Sequence, residues 1–132
     1  MQIDDQGLIS LPFIGATKAA GVTTVVFDRA GNFVRSWGAL FFGGAHGFDL
    51  VVEDGREILY LTDLQQGLFK MTLDGELIWH VAKPDWYEGK DLKYRPSNVA
   101  VAPGGGRVFV TGTQRTSLIF SPRIVITRAF GA

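Results

Sequence analysis

Apolar and polar residues alternate along most of this chain in short runs, and the runs come in pairs joined by polar turns. From Val25 to Trp37 the sequence reads VVFDRAGNFVRSW, and from Phe69 to Val81 it reads FKMTLDGELIWHV. Each stretch is an alternating run, a polar turn ending in glycine (Gly31, Gly75) and a second alternating run, which is the pattern of a β-hairpin. The two copies stand 44 residues apart, and a third, weaker copy closes the chain. Between them lies a second kind of hairpin. Phe48 to Asp63 (FDLVVEDGREILYLTD) matches Asn98 to Gly112 (NVAVAPGGGRVFVTG), with Tyr60-Leu61-Thr62 aligned on Phe109-Val110-Thr111 at a spacing of 49.

The repeating unit is therefore four short strands in about 40 to 50 residues, an all-strand period that predicts the blades of a β-propeller. The expected fold class is all-β, built of antiparallel blades. The pattern divides the chain into a poorly matched lead-in (residues 1–22), an outer hairpin (23–38), one full blade (46–82) and a further blade (96–131). Two to three blades are too few to close a ring, since about four are needed at least. A stack left open exposes strand edges and an apolar sheet face, so self-association or missing blades are expected. The 17 glycines and 10 phenylalanines suit many tight turns and aromatic packing between sheets.

Within the repeats, individual words have physical readings. Glu53-Asp54-Gly55-Arg56 and Leu73-Asp74-Gly75-Glu76 are hairpin turns in which glycine takes a positive φ. Ile58, Tyr60 and Thr62 fall on one face of a strand and Leu59 and Leu61 on the other; both faces are largely apolar, as in a sheet covered on both sides. Gly43, Gly44, Ala45 and Gly47 are small enough to let neighbouring inner strands crowd together. Gly104-Gly105-Gly106 lies between two strands and opens no helix, so it reads as a hairpin turn and not as a phosphate cradle. The segment KPDWYEGKDLKYRP (83–96) is polar, aromatic and bounded by prolines, the reading of a long connection from an outer strand to the next inner one.

Composition excludes several chemistries. With no cysteine there are no disulfides and no thiolate metal ligands. No basic start with an unbroken apolar stretch marks a signal peptide, and no run reaches membrane-spanning length, so a soluble chain with no membrane association is expected. Formal charge is zero, yet all 13 acidic residues lie within positions 1–91, while the last 41 residues carry six cations and no acid. Those six are spread over strands and loops without a basic cluster, which argues against a nucleic-acid-binding end. No Gly-x-Ser-x-Gly word and no Ser, His and Asp in a suggestive order are present, and the acidic pairs Asp4-Asp5 and Glu53-Asp54 read as solvated charges.

The words VVFDRAGNFVRSWG, GAHGFDLVVEDG, LYLTDLQQGLFKMTLDGELIW and YRPSNVAVAPGGGRVFVTG resemble the NHL-repeat six-bladed β-propellers. Within that group they are similar to the lyase domain of peptidylglycine-amidating enzymes and its uncharacterised bacterial relatives. The resemblance covers about two-thirds of the chain. It implies His46 as a zinc ligand and the main-chain carbonyl of Phe48 as a calcium contact near the axis of a complete ring. Read without the resemblance, His46 is a polar residue lining a central channel. The other histidine, His80, lies on an outer-strand pattern at the rim. Where the lyase resemblance calls for a tyrosine in an Asp-Gly-Tyr word, this chain has Gly112-Thr113-Gln114, and the residues before Val22 do not match the blade that supplies the lyase arginine.

These observations favour a ligand- or protein-binding scaffold without catalysis of its own. A zinc- and calcium-dependent lyase of the amidating type, and a self-associating structural module, stand as alternatives. Trp86, Tyr87, Tyr94 and Arg95 in the long connection are the candidate ligand surface, set against simple packing over a sheet edge. The divergent end, residues 112–132, is expected to be the least ordered β segment, with Ile124 to Thr127 attempting to pair with Ser117 to Phe120.

Overall fold

The structure, a computed structural model, describes residues 2–3, 6–7, 9–12, 24–84, 93–103, 106–112 and 117–119. The described chain is all-β, with eleven strands in three antiparallel sheets. The first sheet holds β1 (Gln2–Ile3), β2 (Ile9–Pro12), β3 (Thr24–Phe27) and β4 (Phe33–Trp37) in that order. The central sheet holds β5 (Ala45–Glu53), β6 (Arg56–Asp63), β7 (Gly67–Met71) and β8 (Leu77–Val81). The third holds β9 (Pro96–Val101), β10 (Val108–Gly112) and β11 (Ser117–Ile119). Every strand pairs with its sequence neighbour, so each sheet is a meander whose hydrogen bonds are local in sequence. Among the described residues a single 3-10 turn, Ala39–Phe41, lies between the first and central sheets.

The repeated hairpins are repeated in their bonding. In the β3–β4 turn, Gly31 N donates to Asp28 O and Asp28 N to Asn32 O. In the β7–β8 turn 44 residues on, Gly75 N donates to Thr72 O and Thr72 N to Glu76 O. In both, the side chain of the first residue accepts from the amide four positions later: Asp28 Oδ1 from Asn32 at 2.8 Å and Thr72 Oγ1 from Glu76 at 3.1 Å. Glycine is needed at the fourth position, where φ is 85° at Gly31 and 88° at Gly75. The hydrogen bond from the Asn32 side chain, then those from the turn amides, hold the Asp28 carboxyl below its ordinary value. At the β5–β6 hairpin both Asp54 and Gly55 take positive φ, the two-residue turn that follows strand twist.

The strands stack because the central sheet is apolar on both faces. Leu59, Leu61, Phe69 and Met71 face the first sheet and join Phe41, Ala45 and Phe48 in one buried cluster. Ile58, Tyr60 and Leu68 face the third sheet and join Val99, Val108 and Val110 in another. Alternation along β6 thus feeds two cores from one strand, as its sequence predicts. Two short segments of the unmatched lead-in, Gln2–Ile3 and Ile9–Pro12, pair into the first sheet beside β3. In the divergent end, Ser117–Ile119 pairs with Val108–Val110, and the expected strand at Ile124 to Thr127 lies outside the described residues. Gly106, with φ 82°, lies between β9 and β10 as expected of a hairpin turn. No helix among the described residues is long and apolar enough to cross a membrane.

Candidate functional site

Antiparallel pairing sorts the connections between two ends of the stack. One end carries tight hairpin turns at 28–32, 54–55 and 72–76, and at the same end Ala102 N donates to Arg107 O between β9 and β10, with Gly104 and Gly105 outside the described residues. The other carries the links at 38–44 and 64–66 and those leaving β8 and entering β9. The second end is where strand starts from two sheets meet. The start of β5 opposes the end of β6 (Ala45 with Asp63) and lies against the start of β9. A Cβ on Gly47 would stand 2.9 Å from Ser97 O and 2.5 Å from Asn98 Oδ1, so only glycine permits this approach of two inner strands.

His46 is placed here by a β-bulge. The register passes from Ala45 opposite Asp63 to Gly47 opposite Thr62, which leaves His46 as the extra residue, with its side chain exposed. Thr62 anchors the bulge: its Oγ1 accepts from Gly47 N and donates to Gly47 O, both at 3.1 Å. Phe48 lies opposite Leu61 and is buried in the core between the first and central sheets. Among the described residues no three His, Cys, Asp or Glu side chains gather as metal ligands. His80 is at the outer strand, stacked on Phe69 with ring centroids 4.0 Å apart and hydrogen-bonded to Gln66 O.

The adjoining turn is built on a buried acid. Asp63 is 0% exposed; its Oδ1 accepts from the amides of Gln65 and Gln66, each at 2.8 Å. Gly44 packs against that carboxylate so closely that any side chain there would collide with it, and Leu64 N donates to Gly44 O. Gln66 Nε2 donates to Leu40 O at 2.7 Å, tying the turn to the link between the first and central sheets.

Beside this turn lies an open groove of about 390 Å³. Leu64 and Gln65 form one wall, Ala82 and Lys83 follow β8, and Lys93, Tyr94 and Arg95 lead into β9. Of the residues expected to form a ligand surface, Tyr94 and Arg95 are in this groove, and Trp86 and Tyr87 lie outside the described residues. Tyr94 also packs on the cluster of Ile58, Leu68 and Val110, the packing against which the ligand-surface reading is set. Lys83, Leu64 and Gln65 were not singled out by sequence. The word Lys83-Pro84, mirrored in Arg95-Pro96, is the signal that pairs the two flanks of the long connection.

A second polar cluster sits at the end of β5. Tyr60 Oη donates to Glu53 Oε1 at 2.6 Å, Lys70 is paired with Glu53 Oε2, and the Lys70 ammonium lies 5.5 Å from the centre of the Tyr60 ring. Partial burial works against the Glu53 charge, but the hydrogen bonds from Lys70 and Tyr60 and the Lys70 charge outweigh it, holding the carboxyl below its ordinary value. Burial, then the Glu53 acceptor, push the Tyr60 phenol well above its ordinary range. Every member has a partner, and a satisfied network of this kind stiffens the core beside it. Comparison with protein-family models, curated proteins and solved structures finds no match to this chain.

Proposed function

We propose that the chain is a segment of an NHL-type β-propeller that serves as a ligand- or protein-binding scaffold, without catalysis of its own. The observation that carries the reading is serial stacking. Sheets of one topology follow each other along the chain, their first strands β5 and β9 are neighbours through Gly47, and β1 and β2 lie beside β5. Blades of a propeller follow each other around an axis in the same serial way, and this likeness supports the reading. The working face is the end that carries the groove, because connections held on a rigid stack are where such folds bind.

Outward from the stack, Phe33 on the first sheet and Phe109 on the third are exposed, at 62% and 37%. Exposed apolar side chains of this kind favour further blades or self-association, which light scattering of the full chain at low micromolar concentration reads directly. Selection of a displayed random-peptide library against the full chain tests the scaffold itself. Peptides whose capture is lost on Arg95→Glu support it. A library yielding no binder at this end overturns it. Metal chemistry at His46 would need additional ligands, since one imidazole does not hold zinc.

A further inference from the structure

Among the described residues β9 ends the third sheet, and a strand in that position presents a row of amides and carbonyls with which another chain can pair. The pairing shows which amides are at risk. Ala102 N donates to Arg107 O at the turn into β10, so along the antiparallel ladder the amides of Ala100 and Asn98 also point towards β10, while those of Val99 and Val101 point away from it. Both outward amides are already taken. Val99 N donates to Asn98 Oδ1 at 2.9 Å, and Val101 N donates to Asp49 Oδ2 of the central sheet at 2.8 Å.

The start of the strand is closed by other means. Pro96 has no amide hydrogen to offer, and Ser97 O lies under Gly47 of β5 at a distance that only glycine permits. Asparagine is depleted within strands because its side chain competes for backbone groups. At Asn98 that competition has a use. The side chain is exposed, so it adds nothing to the core, and what it adds over an alanine such as Ala100 is the oxygen that occupies the Val99 amide.

We propose that Asn98 and Asp49 seal the inner edge of the third sheet against the addition of a β-strand from a second copy of this chain. The seal is a row of acceptors laid on the outward amides: one from within β9 and one from the neighbouring sheet. It goes beyond the scaffold reading, since it decides how open stacks are kept from joining edge to edge whatever they bind.

Thioflavin T fluorescence of the full chain on incubation reads edge-to-edge strand addition, and amide hydrogen exchange reads the caps themselves. Asn98→Leu keeps the size of the side chain and removes its oxygen. It is expected to raise the dye signal several-fold over the native chain and to speed exchange at the Val99 amide about fivefold, the loss of one hydrogen bond. Asn98→Asp keeps Oδ1 and should stay at the native level in both. Ala100→Leu places the same apolar side chain two residues on, on the same exposed face and without opening an amide, and should also leave the dye signal at the native level. Asp49→Leu makes the same test at the second cap, with faster exchange at Val101. Exchange in β10 close to the native rates is expected throughout and confirms that each variant is folded. A dye signal in Ala100→Leu equal to that in Asn98→Leu would assign the effect to added apolar surface and overturn the proposal. Native dye signal in both Asn98→Leu and Asp49→Leu, or native exchange at both capped amides, would overturn it as well.

Discussion

The two interfaces of the central sheet bury it by different means. Against the first sheet the contact is made by rings. Phe41, delivered by the 3-10 turn, meets Phe69 edge to face with centroids 4.7 Å apart and Trp37 at 6.5 Å. Its polar contacts sit at the rim, where Arg35 reaches Leu73 O and Asp74. Against the third sheet the contact is mostly aliphatic, and it carries polar fastenings near the inner strands. Asp49 Oδ2 accepts from Val101 N at 2.8 Å across the two sheets, and the Glu53–Lys70–Tyr60 cluster lies on the same face of the central sheet. Both interfaces are fixed by shape; the first adds an exposed ion pair at its rim, and the second adds the hydrogen bond to Asp49 and the Glu53 cluster, whose carboxyl is held below its ordinary value and gives that face a pH response.

The largest expected effect is on the ring interface. Phe41→Ala leaves a cavity among Trp37, Phe69 and Leu61 and should cost about 3–5 kcal/mol, read as a loss in denaturant midpoint. If the midpoint hardly moves, the first sheet is not packed through Phe41. Next is Gly47→Val, whose side chain would drive into the Ser97 carbonyl. It should destabilise by about 1–3 kcal/mol and raise hydrogen exchange in β9 more than in β3. Equal loosening on both sides would mean that the interfaces are not independent.

Asp49→Ala is expected to cost about 1.5 kcal/mol, the net value of a hydrogen bond to a charged group. Its specific readout is faster exchange at the Val101 amide with the β3–β4 amides unchanged. The smallest effect sharpens the electrostatic contrast. The Glu53 carboxyl titrates below its unfolded value of 4.5, so the stability it contributes is complete above that pH and is lost as pH falls through the lower folded value. Thermal unfolding between neutral and acid pH should therefore show a shallower decline in Glu53→Gln than in the native chain. An identical decline would remove Glu53 from the pH response.

Much of the fold was legible because it is periodic. The hairpins of β3–β4, β5–β6, β7–β8 and β9–β10 are where alternation and Gly-bearing turns put them, and β6 is apolar on both faces as its residues require. What escaped was aperiodic. Gln2–Ile3 and Ile9–Pro12 are too short to show alternation, and they become strands because β3 offers an edge. Phe41 enters the core through one turn, and Asp49 finds an amide 52 residues away; single contacts of that kind leave no repeating trace. The groove was half legible. Tyr94 and Arg95 stood out as an aromatic and a cation in a long connection, whereas Leu64 and Gln65 belong to it only because the β6–β7 turn is brought beside them.

The reach of Asp49 to Val101 has a consequence for how the chain is made. Pairing within the central sheet is complete once Val81 has emerged, yet its face of Ile58, Tyr60 and Leu68 has no cover until Val110 follows. At ribosomal speeds of about 5–20 residues per second, that sheet waits for seconds with a bare apolar face and an unengaged carboxylate. During that interval the polar side chain of Asp49 interrupts an apolar face to which other chains would otherwise adhere, and it gives up that role only when its Oδ2 accepts a hydrogen bond from the Val101 amide.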